Sequence, residues 1–292
     1  SGYPTLLDGG RITAPNFGIY DTNGKWIIEN EGVAPDIFVE QTPKELLEGK
    51  DPQLERTIKV LQDEMKTYKY PSVLTIAGFD SSGGAGIQAD IKTISALGCY
   101  ATSVLTALPV QNTTGVKSIY PISTQAVKEQ IEVVLDDIMP DAIKIGMVHH
   151  PELVYTITET LKQYPRIPII FDPVMVATSG HRLIEKETIE VIKNTLFPIS
   201  ELITPNMDEA SILANQEVKT IEDIQQAGPI ILKQGCNNVL LKGGHLKTEK
   251  LTSILFSKNG LQQTYKSTKV VSKNVHGSGC TLSSAVASYV AR

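Results

Sequence analysis

Two glycine-rich stretches contain the residue types that most directly indicate chemistry. One of them, the second in the chain, reads His-Gly-Ser-Gly-Cys at residues 276–280 and opens a small, apolar segment with helical spacing. Gly277 and Gly279 allow the backbone to turn sharply and to approach a ligand closely. The free N–H groups of the following helical turn and the positive end of its helix dipole favour binding of an anion. The same positive potential favours the thiolate form of Cys280. A glycine turn with Cys280 as a small core residue is the alternative interpretation.

The first glycine-rich loop, residues 78–86, contains Gly78, Gly83, Gly84 and Gly86. It follows an apolar, strand-like run at 73–77 and leads into a helical pattern at 87–97. A single Gly-x-Gly is common in proteins, but the presence of this other loop favours a ligand site over an isolated structural turn.

Composition narrows the class of protein. The 292 residues are 41% hydrophobic with a formal net charge of −5, so a core can form, but nucleic acid and anionic membranes are not favoured as partners. No apolar run reaches the length of a membrane span, and no signal-peptide pattern opens the chain. The three cysteines, Cys99, Cys236 and Cys280, indicate neither a disulfide framework nor a metal site. We therefore expect a cytoplasmic protein.

From residue 73 onward, short β-branched runs alternate with helical patterns. The predicted strands are 73–77, 101–108, 142–145, 167–171, 201–204 and 238–241, and the predicted helices are 85–97, 124–137, 151–163, 185–196, 207–215 and 221–233. This alternation predicts a three-layer α/β domain with a mostly parallel central sheet. Ligands of such sheets bind beyond the carboxyl ends of the strands. The distinctive residues that follow predicted strands are Gly78, Gln111, Met147, Asp172, Asn206 and Lys242.

Several further motifs occur in the order found in one enzyme family. They are 106–113 (Thr-Ala-Leu-Pro-Val-Gln-Asn-Thr), 144–147 (Lys-Ile-Gly-Met), 172–175 (Asp-Pro-Val-Met), 204–210 (Thr-Pro-Asn-Met-Asp-Glu-Ala) and 242–245 (Lys-Gly-Gly-His). Together with the glycine-rich loops, they resemble the hydroxymethylpyrimidine and phosphomethylpyrimidine kinases of thiamine biosynthesis, in the ribokinase-like superfamily. The resemblance runs from about Met65 to the end of the chain and implies a ribokinase-like fold.

The resemblance implies roles for residues that bind the substrate. Asp90 and Gln111 should hydrogen-bond the ring nitrogens and the amine of a pyrimidine. Gly78 should allow close backbone approach, and Met147 should pack on the ring. From the residues alone, Asp90 could equally cap a helix or form an ion pair, and Met147 could belong to the core.

The same resemblance implies a site for ATP and Mg²⁺. Asp172 and Glu209 are expected to hold the metal, directly or through water, because oxygen ligands are those that this cation prefers. Asn206 and Lys242 are expected at the ATP phosphates, where the lysine would balance charge. Without the resemblance, the run 206–209 (Asn-Met-Asp-Glu) is typical of a helix start.

Cys280 stands where many ribokinase-like kinases carry an aspartate base. The resemblance therefore implies that Cys280 accepts the hydroxymethyl proton. The amides of Gly277, Ser278 and Gly279 would form an anion hole for the transferring phosphoryl group. Because Cys280 lies at a predicted helix N-terminus, we expect its thiol to have a lowered pKa.

The predicted function is ATP-dependent phosphorylation of 4-amino-5-hydroxymethyl-2-methylpyrimidine and then of its monophosphate. Two alternatives remain open: a pyridoxal kinase of the cysteine-containing type, and an inactive fusion that binds the pyrimidine without turnover. The second arises because members of the family continue beyond Arg292, so we expect the kinase domain, residues 65–292, to be incomplete at its C-terminus. The family is usually dimeric, so we expect a homodimer acting on a small molecule.

Residues 1–64 have a different character. Their stretches 10–15, 24–37 and 49–56 resemble the C-terminal end of tricorn-type serine peptidases. The part of that family with the nucleophilic serine is absent, so neither Glu29 nor Glu31 can support acyl transfer. We therefore predict a small α+β peptidase fragment joined to the kinase at 64/65. A helix with Asp51 as its N-cap is predicted near the end of this fragment.

Overall fold

The computed structural model describes residues 35–67, 70–112, 115–175, 184–244, 246, 250–270, 272 and 275–292. The chain divides into two compact units, Ser1–Lys69 and Tyr70–Arg292. Glu29 and Glu31 lie outside the described residues. Across the described ranges, every helix is too short or too polar to cross a membrane.

The described part of the first unit contains two helices, α1 (Pro43–Leu47) and α2 (Pro52–Thr67). α1 begins with a capping box, in which Thr42 and Glu45 each accept a hydrogen bond from the other's backbone N–H. The predicted N-cap of α2 is confirmed, because the Asp51 carboxylate accepts a hydrogen bond of 2.9 Å from the N–H of Leu54. Local sequence signals therefore account for both helix starts.

The second unit alternates strands and helices. Its strands are β1 (Ser72–Ala77), β2 (Tyr100–Leu105), β3 (Ala107–Asn112), β4 (Gly115–Pro121), β5 (Ala142–Ile145), β6 (Ile169–Phe171), β7 (Leu202–Ile203), β8 (Asn238–Gly243), β9 (Lys250–Ser257) and β10 (Gln262–Thr268). Its helices are α3 (Gly86–Ala96), α4 (Thr124–Asp137), α5 (Pro151–Leu161), α6 (Lys186–Val191), α7 (Met207–Ala214), α8 (Ile221–Leu232) and α9 (Ser278–Ala291). α6 continues into a π-helical turn, Ile192–Leu196.

Eight strands form one sheet in the order β10-β9-β8-β7-β6-β5-β1-β2. In this sheet the neighbouring strands β8, β7, β6, β5, β1 and β2 pair in parallel, whereas β9 and β10 are added antiparallel. In β1, Leu74 and Ile76 pack in one apolar core with α4, α5, α7 and α8, while Val73 packs in another with α3 and α9. Strands buried on both faces need helices on both faces. The predicted three-layer α/β fold is therefore confirmed.

One predicted strand, 101–108, is wrong in part because the chain leaves the sheet at Thr106. There the backbone N–H donates to the carbonyl of Ala77 at 3.0 Å, and the hydroxyl donates to the carbonyl of Met147 at 3.1 Å. The following residues form β3, which pairs with β4 in a separate antiparallel hairpin. The sequence pattern also misses β10, which is exposed along its whole length and therefore lacks the alternation of a half-buried strand.

Candidate active site

A pocket of about 730 Å³ opens beyond the carboxyl ends of the parallel strands. Every predicted site residue except Asp90 lines it. These residues are Gly78, Gln111, Met147, Asp172, Asn206, Glu209, Lys242, Gly277, Ser278, Gly279 and Cys280. The fold thus brings together side chains that are distant in the sequence, because parallel strands end at a common edge.

The two glycine-rich loops touch at this pocket. The N-cap of α9, Gly277, has a φ of 77° and no side-chain cap. A Cβ added there would lie 1.7 Å from the carbonyl oxygen of Gly84, so both the backbone angle and the close contact require glycine. In the first loop, a Cβ on Gly86 would lie 2.2 Å from the carbonyl oxygen of Gly78. The first turn of α9 therefore forms part of the pocket wall, and within it the N–H of Ser278 donates to the carbonyl of Val275 at 3.2 Å.

Gly78, Pro109 and Met147 form one side of the pocket. A Cβ added at Gly78 would lie 3.0 Å from Cε of Met147 and 3.7 Å from Cγ of Pro109. The absence of a side chain at Gly78 therefore keeps this wall open. Beside it, Nε2 of Gln111 lies 3.5 Å from the carbonyl oxygen of Phe79, at the long limit of a hydrogen bond. A mostly apolar wall with a weakly held amide suits a planar heterocycle.

Asp90 is turned away from the pocket and is fully buried. Its carboxylate accepts hydrogen bonds from Nζ of Lys144 at 2.9 and 2.8 Å and from the hydroxyls of Thr75 at 2.6 Å and Ser284 at 2.7 Å. Because these donors occupy both oxygens, the geometry does not support the predicted contact between Asp90 and a pyrimidine. It supports the ion-pair alternative.

Lys144, the partner of Asp90, is a site residue that sequence reasoning missed. Burial lowers its pKa, but the negative charges of Asp90, Cys280 and Asp172 outweigh burial and raise the pKa above its usual value. A Cβ on Gly146 would lie 2.8 Å from Nζ of Lys144, so this glycine leaves room for the ammonium group. The sequence signal that could have identified Lys144 is its place within the otherwise apolar run 142–145, since a buried charge needs a partner.

Cys280 lies in the first turn of α9, on the pocket wall. Burial raises the pKa of its thiol; the positive charge of Lys144 lowers the pKa, whereas the carboxylates of Asp90 and Asp172 raise it. The predicted lowered thiol pKa is therefore wrong for the protein without ligands. Burial and two nearby carboxylates outweigh the lysine and the hydrogen bond from the backbone of Gly86.

Asp172 and Lys242 form an ion pair beside the first turn of α9. Nζ of Lys242 lies 3.0 Å from Oδ1 of Asp172, which also accepts a hydrogen bond of 2.8 Å from Thr204. A Cβ on Gly279 would lie 3.4 Å from both Nζ of Lys242 and Oδ2 of Asp172. Burial opposes the charge on Asp172, but Lys242 and Lys144 hold its pKa below the usual range. Likewise, Asp172 and Glu209 raise the pKa of Lys242 despite its burial.

Asn206 and Glu209 form a capping box at the start of α7. Oδ1 of Asn206 accepts a hydrogen bond of 2.9 Å from the N–H of Glu209, and Oε2 of Glu209 accepts one of 2.7 Å from the N–H of Asn206. The helix-start interpretation is confirmed, although both residues also line the pocket. Burial raises the pKa of Glu209 to about 8, with Lys242 opposing the shift and Asp172 adding to it. The described residues contain no cluster of three His, Cys, Asp or Glu side chains suited to a metal.

Known proteins resemble the second unit closely. The family model for phosphomethylpyrimidine kinase matches residues 80–292. The hydroxymethylpyrimidine/phosphomethylpyrimidine kinase of Escherichia coli strain K12 is 43% identical over 217 residues, which cover 74% of this chain and 81% of that protein. The thiamine biosynthesis bifunctional protein ThiED of Geobacter sulfurreducens is 42% identical over 248 residues, which cover 85% of this chain. The chain spans 50% of the length of this bifunctional relative.

Solved structures agree with these matches. The phosphomethylpyrimidine kinase of Clostridium difficile 630 has a TM-score of 0.66 at 44% identity, covering 76% of this chain and 90% of that one. The pyridoxal kinase of Staphylococcus aureus, in complex with AMP-PCP, has a TM-score of 0.71 at 31% identity, covering 77% and 82%. The resemblance found in the motifs is thereby confirmed. This chain belongs to the phosphomethylpyrimidine kinase family.

Proposed function

We propose that this chain catalyses ATP-dependent phosphorylation of 4-amino-5-hydroxymethyl-2-methylpyrimidine and then of its monophosphate. The observation that carries the proposal is the convergence, in one pocket, of the first turn of α9, the pair Asp172–Lys242 and the wall around Gly78. The name of the E. coli relative supports the same reaction. The AMP-PCP complex of the S. aureus pyridoxal kinase supports ATP as the phosphoryl donor.

In this proposal, each part of the pocket has a separate task. The wall beside Met147 holds the pyrimidine ring, and the amide of Gln111 hydrogen-bonds it. The amides of residues 277–279 hold the charge of the transferring phosphoryl group, and Lys242 and Asn206 position the phosphates. The thiolate of Cys280 accepts the hydroxymethyl proton, which requires ionisation against its raised pKa.

We place Mg²⁺ at Asp172 and Glu209. In phosphotransferases this ion commonly takes one or two protein carboxylates and completes its shell with phosphates and water. Two acidic side chains that line the pocket fit that pattern without a three-residue cluster, and binding at Glu209 requires loss of the proton that its raised pKa retains. When bound, the ion would neutralise negative charge on the phosphates.

Pyridoxal kinase is the second candidate, favoured by the structural similarity to the S. aureus enzyme. Identity is lower there, at 31%, than to the C. difficile kinase, at 44%. The test is coupled ADP release with Mg²⁺-ATP and either the hydroxymethylpyrimidine or pyridoxal. We expect ADP with the pyrimidine and less with pyridoxal. Faster turnover of pyridoxal would select the second candidate, and calorimetric binding without ADP release would select a binding protein without turnover.

We also propose that residues 1–64 are not needed for the kinase reaction. Their resemblance to tricorn-type peptidases stays a prediction, as do the boundary at 64/65 and the homodimer. Kinase activity of the full chain and of a chain beginning at Met65 should be equal, and activity that disappears with the N-terminal segment would refute this proposal. Sedimentation equilibrium tests the dimer.

A further inference from the structure

Asp80 organises the first glycine-rich loop. Its carboxylate accepts hydrogen bonds from the backbone N–H groups of Ser82 at 3.0 Å, Gly84 at 3.0 Å and Ala85 at 2.7 Å, and from the hydroxyl of Ser82. The residue is only 1% exposed. Burial opposes its charge, but hydrogen bonds from His276, Ser82 and Ala85 lower the pKa of Asp80 to about 2. An ionised carboxylate therefore holds the loop in shape at neutral pH.

His276 connects this carboxylate to the second glycine-rich loop. Its Nε2 lies 2.9 Å from Oδ2 of Asp80, although the two residues are 196 positions apart. The next residue, Gly277, is the N-cap of α9 and packs against the backbone of Gly84. A Cβ on Gly84 would lie 2.9 Å from Cδ2 of His276, so the imidazole occupies the space that this glycine leaves.

We propose that Asp80 and His276 form a clasp that holds the two glycine-rich loops together and so positions the first-turn amides of α9 for phosphoryl transfer. This inference rests on the proposed kinase function. Asp80 and His276 are positioning residues, because they act through the loop backbone rather than on the transferred group. The clasp joins a loop that follows β1 to the start of the helix that carries Cys280.

The arrangement also removes an electrostatic conflict. A carboxylate close to an anion site would repel phosphate if its charge faced the ligand. His276 lines the pocket, whereas Asp80 lies behind it and directs its charge toward the loop N–H groups and the imidazole. The His276 side chain is 23% exposed, and that of Asp80 is fully buried. The imidazole therefore separates the carboxylate from the pocket.

The clasp is tested by steady-state kinetics of the full chain with two variants of His276. His276→Leu removes the hydrogen bond and should lower kcat by about 10²-fold, the scale expected when reacting groups are misplaced by about 1 Å. The KM values for ATP and the pyrimidine should change much less. His276→Gln, whose amide can still donate to Asp80, should recover most of the lost kcat. His150→Leu and His150→Gln, at an exposed histidine that makes no side-chain capping bond, serve as matched controls.

A role in overall stability alone predicts equal losses in the leucine and glutamine variants, in step with their melting temperatures. That result, or a wild-type kcat in His276→Leu, would overturn the clasp. Amide hydrogen exchange without ligands provides a readout that does not depend on activity. Exchange at Gly84, Ala85 and the first turn of α9 should accelerate in His276→Leu and remain near wild type in His276→Gln. If wild-type protein forms no ADP, the proposed function fails, and the exchange data still decide on the clasp: unchanged exchange in the leucine variant would refute it.

Discussion

Two lysine–aspartate pairs lie at the candidate active site and differ in their surroundings. Nζ of Lys144 lies 2.8 Å from Oδ2 of Asp90, and both side chains are 0% exposed. Lys242 and Asp172 are 3.0 Å apart, with the lysine side chain 15% exposed and beside Gly279 on the pocket wall. We call Lys144–Asp90 the sealed pair and expect it to contribute mainly to stability, although Lys144 also borders the pocket and acts on Cys280. We call Lys242–Asp172 the pocket pair, because its more exposed lysine can share its charge with a ligand. We therefore expect the same two chemical groups to have different roles in the two pairs.

The sealed pair connects three elements of the second unit. Lys144 belongs to β5, Asp90 to α3, and Ser284, which donates to Asp90, to α9. Ser284 follows Cys280 by about one helical turn, so this pair also fixes the helix that carries the thiol. Apart from burial, the pKa of Cys280 depends on charges from both pairs. Substitutions in each pair should therefore show whether that pair contributes mainly to stability or to turnover.

Replacing the thiol of Cys280, which is influenced by charges of both pairs, should have the largest effect. Cys280→Ala should lower kcat by roughly two to four decades, the usual scale for removing a general base. Coupled ADP release measures this, and the urea unfolding midpoint checks that the variant is folded. Cys99→Ala, at a buried cysteine outside the pocket, is the control. Near-normal turnover in a folded Cys280→Ala would mean that the loop amides act without a thiol base.

Breaking the sealed pair should mainly lower stability. Asp90→Ala leaves the charge of Lys144 buried without its partner, which should reduce the free energy of unfolding by about 3–5 kcal/mol. Replacing both partners, as in Asp90→Leu with Lys144→Met, should restore much of it. The exposed pair Lys162–Glu159 is the control, because Lys162→Met should cost less than about 1 kcal/mol.

Urea unfolding measures these changes. A stable Asp90→Ala protein whose KM rises for the pyrimidine but not for ATP would show that Asp90 binds substrate after all.

The charges around Cys280 predict a pH dependence. Because burial and the two carboxylates raise the thiol pKa, the thiolate becomes populated only as pH rises above neutral. The value of kcat should therefore increase with pH and level off above the thiol pKa. Cys280→Asp should lose this rise, since a carboxylate ionises at lower pH. Identical pH profiles in the two enzymes would assign the rise to another group.

A smaller effect is expected at Gly279, where the pair Lys242–Asp172 meets the first turn of α9. Gly279→Ala would place a methyl group 3.4 Å from Lys242 and Asp172, in ordinary contact and without the left-handed backbone of Gly277. The protein should keep its stability and lose about tenfold in kcat/KM for ATP, the scale of one methyl group in a binding pocket. A wild-type kcat/KM would place the phosphates elsewhere.

The sequence predicts the sheet and most of the pocket for physical reasons. Apart from Thr75 and Lys144, runs such as 73–77 and 142–145 are apolar throughout, which is typical of parallel strands between helix layers. Such strands end at one edge, so residues that follow them, such as Asp172 and Lys242, are expected to meet.

The pairing of Asp90 with Lys144 and the thiol pKa could not be predicted in this way. In the sheet, Thr75 of β1 is aligned with Lys144 of β5, and both contact Asp90. That register arises only in the folded sheet. Likewise, the residues around Cys280 indicate a helix N-terminus but contain no information on its burial or on the carboxylates that approach it.

The central claim, that the pocket pair serves the phosphates and the sealed pair serves the structure, is tested most directly by one matched measurement. Lys242→Gln and Lys144→Gln each remove a positive charge while retaining a hydrogen-bond donor, and both are compared with wild type in ADP release and urea unfolding. Lys242→Gln should lose about 10²–10³-fold in kcat, as for one lost donor at a developing charge, with the smaller loss of stability. Lys144→Gln should be the less stable protein. A Lys242→Gln enzyme with near-wild-type kcat, or one that is less stable than Lys144→Gln, would contradict this division.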